Sequence, residues 1–148
     1  MNAKIKRLDP SIELPKYQTA ESAGFDIAAN ADITIEPGQI VKVPTGLVIE
    51  APVGHFLALV ARGSTAAKTG LKMANNMGVV DRDFAGPNDE IFLLMHNFTD
   101  KPSSIKKGER IAQGIFIKMD QAEWEETTEI RDRDRGGYAS TGGYHVQR

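Results

Sequence analysis

The sequence predicts an all-β domain of the sandwich, barrel or jelly-roll kind, and three observations carry that prediction. Short apolar or alternating runs recur at close intervals, a glycine- or proline-bearing turn cuts each of them, and little room remains between turns for helices. Ile33-Thr34-Ile35 stops at Glu36-Pro37-Gly38, and Gln39 to Val43 stops at Pro44-Thr45-Gly46. Leu47 to Glu50 stops at Ala51-Pro52-Val53-Gly54, and His55 to Ala61 follows. Later come Glu90 to Asn97, a polar break with Pro102, a short Ser104-Ile105-Lys106, a turn at Lys107-Gly108-Glu109, and Ile111 to Lys118. One helix of a turn or two is expected from Ser64, whose hydroxyl is a ready N-cap, with Gly70 as its stop.

Ile91-Phe92-Leu93-Leu94-Met95 is apolar at every position, which predicts a strand covered on both faces. An oligomer interface, or a second layer of the same subunit, would supply the second cover.

The 148 residues suit one domain large enough to fold on its own core. With 18 Lys+Arg against 20 Asp+Glu, the net charge of -2 gives no sign of a nucleic-acid or membrane-surface partner, so any anion binding is local. Zero cysteines exclude thiolate zinc ligands and disulfides and agree with a reducing compartment. His55, His96 and His145 are too far apart for a local metal motif. No apolar run approaches the ~20 residues of a membrane span, and no signal-peptide core follows Met1, so a soluble, cytoplasmic protein is expected.

Chemistry concentrates at Gly78-Val79-Val80-Asp81-Arg82-Asp83-Phe84, where a β-branched run ends in an acid and presents a carboxylate at a strand end. The plainer alternative is that Asp81 only opens a turn. Arg62-Gly63-Ser64 puts a guanidinium and backbone amides at the start of the short helix, an arrangement that attracts phosphate. Gly108-Glu109-Arg110 leads into Gln113, a neutral amide inside an apolar strand, and Ala23-Gly24-Phe25-Asp26 carries an acid at a glycine break. From Gln121 the composition turns polar, then Arg131-Asp132-Arg133-Asp134-Arg135 runs into Gly136-Gly137-Tyr138-Ala139-Ser140-Thr141-Gly142. Composition alone allows a disordered tail, yet arginines, hydroxyls, an aromatic ring and glycines are also the parts needed to cover a phosphorylated aromatic ligand.

Taken in chain order, those five segments resemble the ordered motifs of the trimeric dUTP pyrophosphatases, the dUTPases, and the resemblance spans nearly the whole chain. It implies a distorted, dUTPase-like jelly roll of the β-clip type over residues 1–130 and a mobile C-terminal arm over 131–148. It implies a homotrimer with shared active sites, dUTP as substrate and Mg²⁺ as cofactor. Asp81 falls where the family orients the attacking water, and Asp26 near the water shell of the metal. Asn75 and Gly78 match the hairpin that reads uracil, and Phe84 the aromatic under the deoxyribose. Arg62, Gly63, Ser64 and Gln113 match phosphate-contacting positions, as do Arg133, Ser140 and Thr141 in the arm, while Tyr138 matches the ring that stacks on uracil. The chain departs from the family pattern at Phe84 (usually Tyr), Gly63 (commonly Ser), Asp134 (Gly) and Tyr138-Ala139 (Phe-Gly). The alternatives are a dCTP deaminase-like enzyme, for which no catalytic glutamate stands out, and a dUTP-binding regulatory module with weak activity.

Overall fold

The computed structural model describes residues 1–136, and these form eleven strands and one short helix. All pairings are antiparallel. Numbered in chain order, β1 (Lys4–Arg7) pairs with β5 (Leu47–Glu50), and β3 (Ile33–Ile35) with β10 (Ser103–Ile105). A four-stranded sheet runs in the order β2 (Phe25–Ala28), β11 (Arg110–Lys118), β6 (His55–Ala61), β8 (Gly78–Val80). A three-stranded sheet runs β4 (Ile40–Pro44), β9 (Phe92–Asn97), β7 (Leu71–Met73). The result is the expected jelly-roll-like all-β fold with one helix, α1 (Thr65–Thr69).

The inward faces of these sheets meet in one core built from Ile27, Ile35, Val43, Leu57, Leu93 and Met95, among others. Each such buried side chain contributes roughly 1.5–3 kcal/mol. The turns read from sequence hold: Gly38, Gly46, Gly54 and Gly108 all have positive φ. Gly70 ends α1 at φ 66, where its N–H caps the Ala66 carbonyl, and a Cβ there would meet Thr99 Cγ2 at 2.2 Å.

One expectation needs correction. Ser64 sits at the N-cap position, but its hydroxyl makes no capping bond. Thr65 does the anchoring instead, its buried hydroxyl donating to the Ile111 carbonyl at 2.8 Å. In β9, Leu93 and Met95 point inward, Leu94 is half-buried and Phe92 is 42% exposed, so within one chain the outer face of the run is only partly covered. The strand buried throughout its apolar stretch is β5, at Leu47, Val48 and Ile49.

β1 escaped the sequence reading because all four of its residues are exposed, leaving no inward apolar face to reveal it. β2 and β7, at four and three residues, are too short for periodicity to declare. After Lys118 the described chain carries no strand or helix, and Trp124 and Ile130 are exposed. None of the described helices is long and apolar enough to cross a membrane.

Asn97 is a polar group inside the core at 0% exposure. Its amide donates to the carbonyls of Ile35 (2.8 Å) and Lys101 (2.7 Å), while its oxygen accepts from the Thr99 N–H (2.9 Å) and hydroxyl (2.8 Å). Truncation strands several buried partners at once. Asn97→Ala is therefore expected to destabilise the fold by about 3 kcal/mol, read as a lower urea midpoint at unchanged slope.

Candidate active site

The residues singled out in the sequence fall into two groups on the four-stranded sheet. The first lies on the outward face of β2 and β11. Phe25 and Ile27 enter the core, so strand alternation turns Asp26 outward, where it stands in register with Gln113, itself in register with Val60. Arg62 follows the end of β6, and Arg110 begins β11 beside a bulge. Both arginines grip the same carboxylate. Arg62 Nε lies 2.8 Å from Asp26 Oδ1 and Arg110 Nη1 lies 3.0 Å from Oδ2, with the Asp26 side chain only 11% exposed. Arg62 Nη1 also donates to the Arg110 carbonyl at 3.2 Å, and the Gln113 amide donates to the Ala61 carbonyl at 3.4 Å.

Two guanidiniums sharing one carboxylate leave the cluster with surplus positive charge. An adjoining cleft of about 920 Å³ is lined by Arg62, Ser64, Lys68, Lys101 and Arg110, with Asp100 and Glu109 as its acids. Ser64, which lines it, and the neighbouring Gly63 are both exposed, and the hydroxyl of Ser64 is not used as a cap. The cleft suits an anion. Arg110 is a member of this cluster that the sequence reading quoted but assigned no role. The signal for it was its place between the Gly108 turn and Gln113.

The second group surrounds the tight turn between β7 and β8, which enter different sheets. Asn76 takes a positive φ of 58, a conformation Asn tolerates, and its N–H bonds the Met73 carbonyl at 3.2 Å, so the connection turns tightly. Gly78 is buried against β6, where a Cβ would stand 3.1 Å from Leu59 Cβ and 3.6 Å from the Asn75 amide nitrogen. Since β8 is the edge of its sheet, its outer backbone groups are open to pairing. Asp81 comes one residue after β8 with its side chain exposed, and the Phe84 N–H returns to its carbonyl at 3.2 Å. Phe84 is 43% exposed.

These two groups do not meet in one chain. Val80 stands opposite Leu57 and Leu57 opposite Phe116, which sets Asp81 four residues along the strands from the row of Asp26 and Gln113, and three strands across. At ~3.3 Å per residue and ~4.8 Å per strand, the separation is on the order of 20 Å. Between them the outward face carries Phe56, Val60, Val79, Ile115 and Ile117 around the buried Ala58, an apolar surface on which Val79 is 59% exposed. Arg133 is exposed in the segment after the last strand. Tyr138, Ser140 and Thr141 lie outside the described residues.

Glu50, which no sequence signal marked, links the second group to the N-terminal strand. Its carboxylate takes Lys4 Nζ at 2.8 Å and Arg82 Nη2 at 2.5 Å. The Lys4 hydrogen bond, aided by the charges of Lys4 and Arg82, outweighs partial desolvation and holds the Glu50 carboxyl below its ordinary range.

A nearly all-β chain with a cationic cleft at the ends of β6 and β11 and an exposed carboxylate just past an edge strand has the form of an anion-binding jelly-roll protein. Known proteins narrow that class. A family model described as dUTPase matches residues 10–142. The deoxyuridine 5'-triphosphate nucleotidohydrolase of Desulfitobacterium hafniense (strain DSM 10664 / DCB-2) is 43% identical over 143 residues, 92% of this chain and 91% of the relative. That of Lactococcus lactis subsp. lactis (strain IL1403) is 39% identical over 140 residues, 93% of each. Among solved structures, the dUTPase from Streptococcus mutans aligns with TM-score 0.75 at 35% identity, over 84% of this chain and 100% of that one. The Staphylococcus bacteriophage 80alpha dUTPase with dUPNHPP shares the fold at TM-score 0.84 and 21% identity, over 95% of this chain and 98% of that one. The chain belongs to the dUTPase family, the dUTP diphosphatases.

Proposed function

We propose that the chain hydrolyses dUTP to dUMP and pyrophosphate in sites shared between copies of a homotrimer. The observation that carries this reading is the division of the family's ordered motifs into two groups on the order of 20 Å apart across an apolar sheet face. A cationic cleft on the order of 20 Å from Asp81 is half a hydrolase in this reading, and a second copy seated on that face would bring the other half to it. Burial of an exposed apolar sheet is the driving force for that association.

In the assembled site, Arg62, Ser64 and Gln113 take the triphosphate, with Arg110 bracing Asp26. The tight turn at Asn75 and the edge strand from Gly78 pair their backbone with the Watson–Crick edge of uracil, and the tightness excludes the methyl of thymine. Phe84 packs under the deoxyribose. Asp81 accepts a proton from a water whose oxygen attacks the α-phosphorus in line, the bond to the bridging oxygen breaks, and pyrophosphate leaves with that electron pair. Arg133, Tyr138, Ser140 and Thr141 close the site as an arm of residues 131–148.

The described residues contain no group of three His, Cys, Asp or Glu side chains fit to cage a metal. A Mg²⁺ that keeps most of its waters and takes its remaining oxygens from substrate phosphates still fits beside Asp26. Each carboxylate oxygen there accepts one arginine bond and keeps capacity for a metal-bound water. Such an ion would supply neutralisation of charge on the phosphate chain. The product dUMP would feed thymidylate synthesis, and removal of dUTP would keep uracil out of DNA.

The test is product analysis on dUTP and dCTP with Mg²⁺, paired with sedimentation at micromolar concentration. Pyrophosphate from dUTP, and a trimer, are the expected results. Ammonia from dCTP would identify a deaminase, binding without turnover a sensing module, and a fully active monomer would contradict the shared site.

A further inference from the structure

The segment that follows Asp81 is tied down by contacts that the hydrolytic reading leaves unused. Arg82 turns back over β5, where Nη2 meets Glu50 Oε1 at 2.5 Å, and the other carboxylate oxygen holds Lys4 Nζ at 2.8 Å. Lys4 and Lys6 lie on the same side of β1, and Lys6 Nζ donates to the Pro87 carbonyl at 3.0 Å. Further on, the Gly86 N–H donates to Asp89 Oδ2 and the Gly46 N–H to Glu90 Oε1, each at 2.7 Å. The run from Arg82 to Glu90 is thereby stapled to β1 and to the start of β5.

Asp81 itself has no such support. Its side chain is exposed, and the ladder joining β8 to β6 ends one residue earlier, at Val80 opposite Leu57. A carboxylate that aims a water in line must be held within a fraction of an ångström, because small misplacements cost large factors in rate. The first fixed side chain beyond it is Arg82. That guanidinium is kept in place although its Nε is buried without a partner, an arrangement that stability alone does not favour.

We propose that Glu50 is a positioning residue for Asp81. By clamping Arg82 onto β5 it fixes the backbone on the far side of the carboxylate, with Lys4 completing the clamp from β1. The inference rests on the reading of Asp81 as the group that holds the attacking water. Glu50 acts only through its neighbours and needs no contact with substrate.

The experiment uses the full chain on dUTP with Mg²⁺. Glu50→Gln keeps the side chain's size and one acceptor oxygen but removes its charge. It should lower kcat by about ten- to a hundredfold, with KM changed less than about twofold and the thermal midpoint nearly unmoved. Arg82→Lys, which keeps a cation within reach of Glu50, should retain more activity than Arg82→Gln. Because Glu50 works through Asp81, adding Glu50→Gln to Asp81→Asn should leave the residual kcat of Asp81→Asn where it was. An unchanged kcat in Glu50→Gln, a loss confined to KM, or an additive double variant would overturn the positioning role while Asp81 kept its own. Parental turnover by Asp81→Asn alone would instead remove the reading beneath it.

Discussion

Asp81→Asn should leave a folded, associating protein that binds dUTP and hydrolyses it at least about two orders of magnitude more slowly, the usual contribution of a general base. The structure separates folding from chemistry at this position. Asp81 is exposed, lies just outside the β8 ladder and contributes nothing to the core, and only its carbonyl is used in the turn to Phe84. Asparagine preserves the side chain's shape and leaves that carbonyl in place. Single-turnover measurements beside a urea titration decide the matter. A slow enzyme of parental stability supports the general base, whereas near-parental turnover strips Asp81 of it. A destabilised protein would mean that the acid serves the turn.

The second large effect is expected from the C-terminal arm. Every residue of the core cluster lies between Ile12 and Ala112, and the described segment past Lys118 has neither strand nor helix. Deleting residues 134–148 should therefore spare the fold and its assembly, yet remove most of the activity on dUTP. Within the arm, Tyr138→Ala should lower kcat/KM about ten- to a hundredfold, since a stacking contact is worth roughly 1–3 kcal/mol, and Tyr138→Phe should be nearly neutral. The ring is the part that matters. Full activity in the deletion and in Tyr138→Ala would reduce the arm to a passive tail.

Much of the site was legible because its chemistry is punctuated locally. Asp81 follows a β-branched run, Arg62 precedes a glycine, and Gln113 interrupts an apolar strand, and each anomaly is visible within a few residues. The same locality explains the misreadings. Ser64 looked like a capping hydroxyl because nothing nearby discloses that Thr65 would reach 46 positions along the chain to the Ile111 carbonyl. Glu50 is a strand end, as its sequence says, but its ion pairs left no local sign because Lys4 and Arg82 are 46 and 32 residues away.

What the sequence by itself determined is the family, the all-β rhythm and the set of reactive side chains, since turn residues, strand periodicity and motif order are properties of neighbouring residues. Only the tertiary structure decided that Asp26 sits between arginines from the ends of two other strands, and that β5 is buried along Leu47, Val48 and Ile49. Only it decided, too, that Asp81 lies across an apolar sheet from the cationic cleft. Those outcomes depend on which strands pair and in what register, and pairing is settled by burial and backbone hydrogen bonding between segments far apart in the chain.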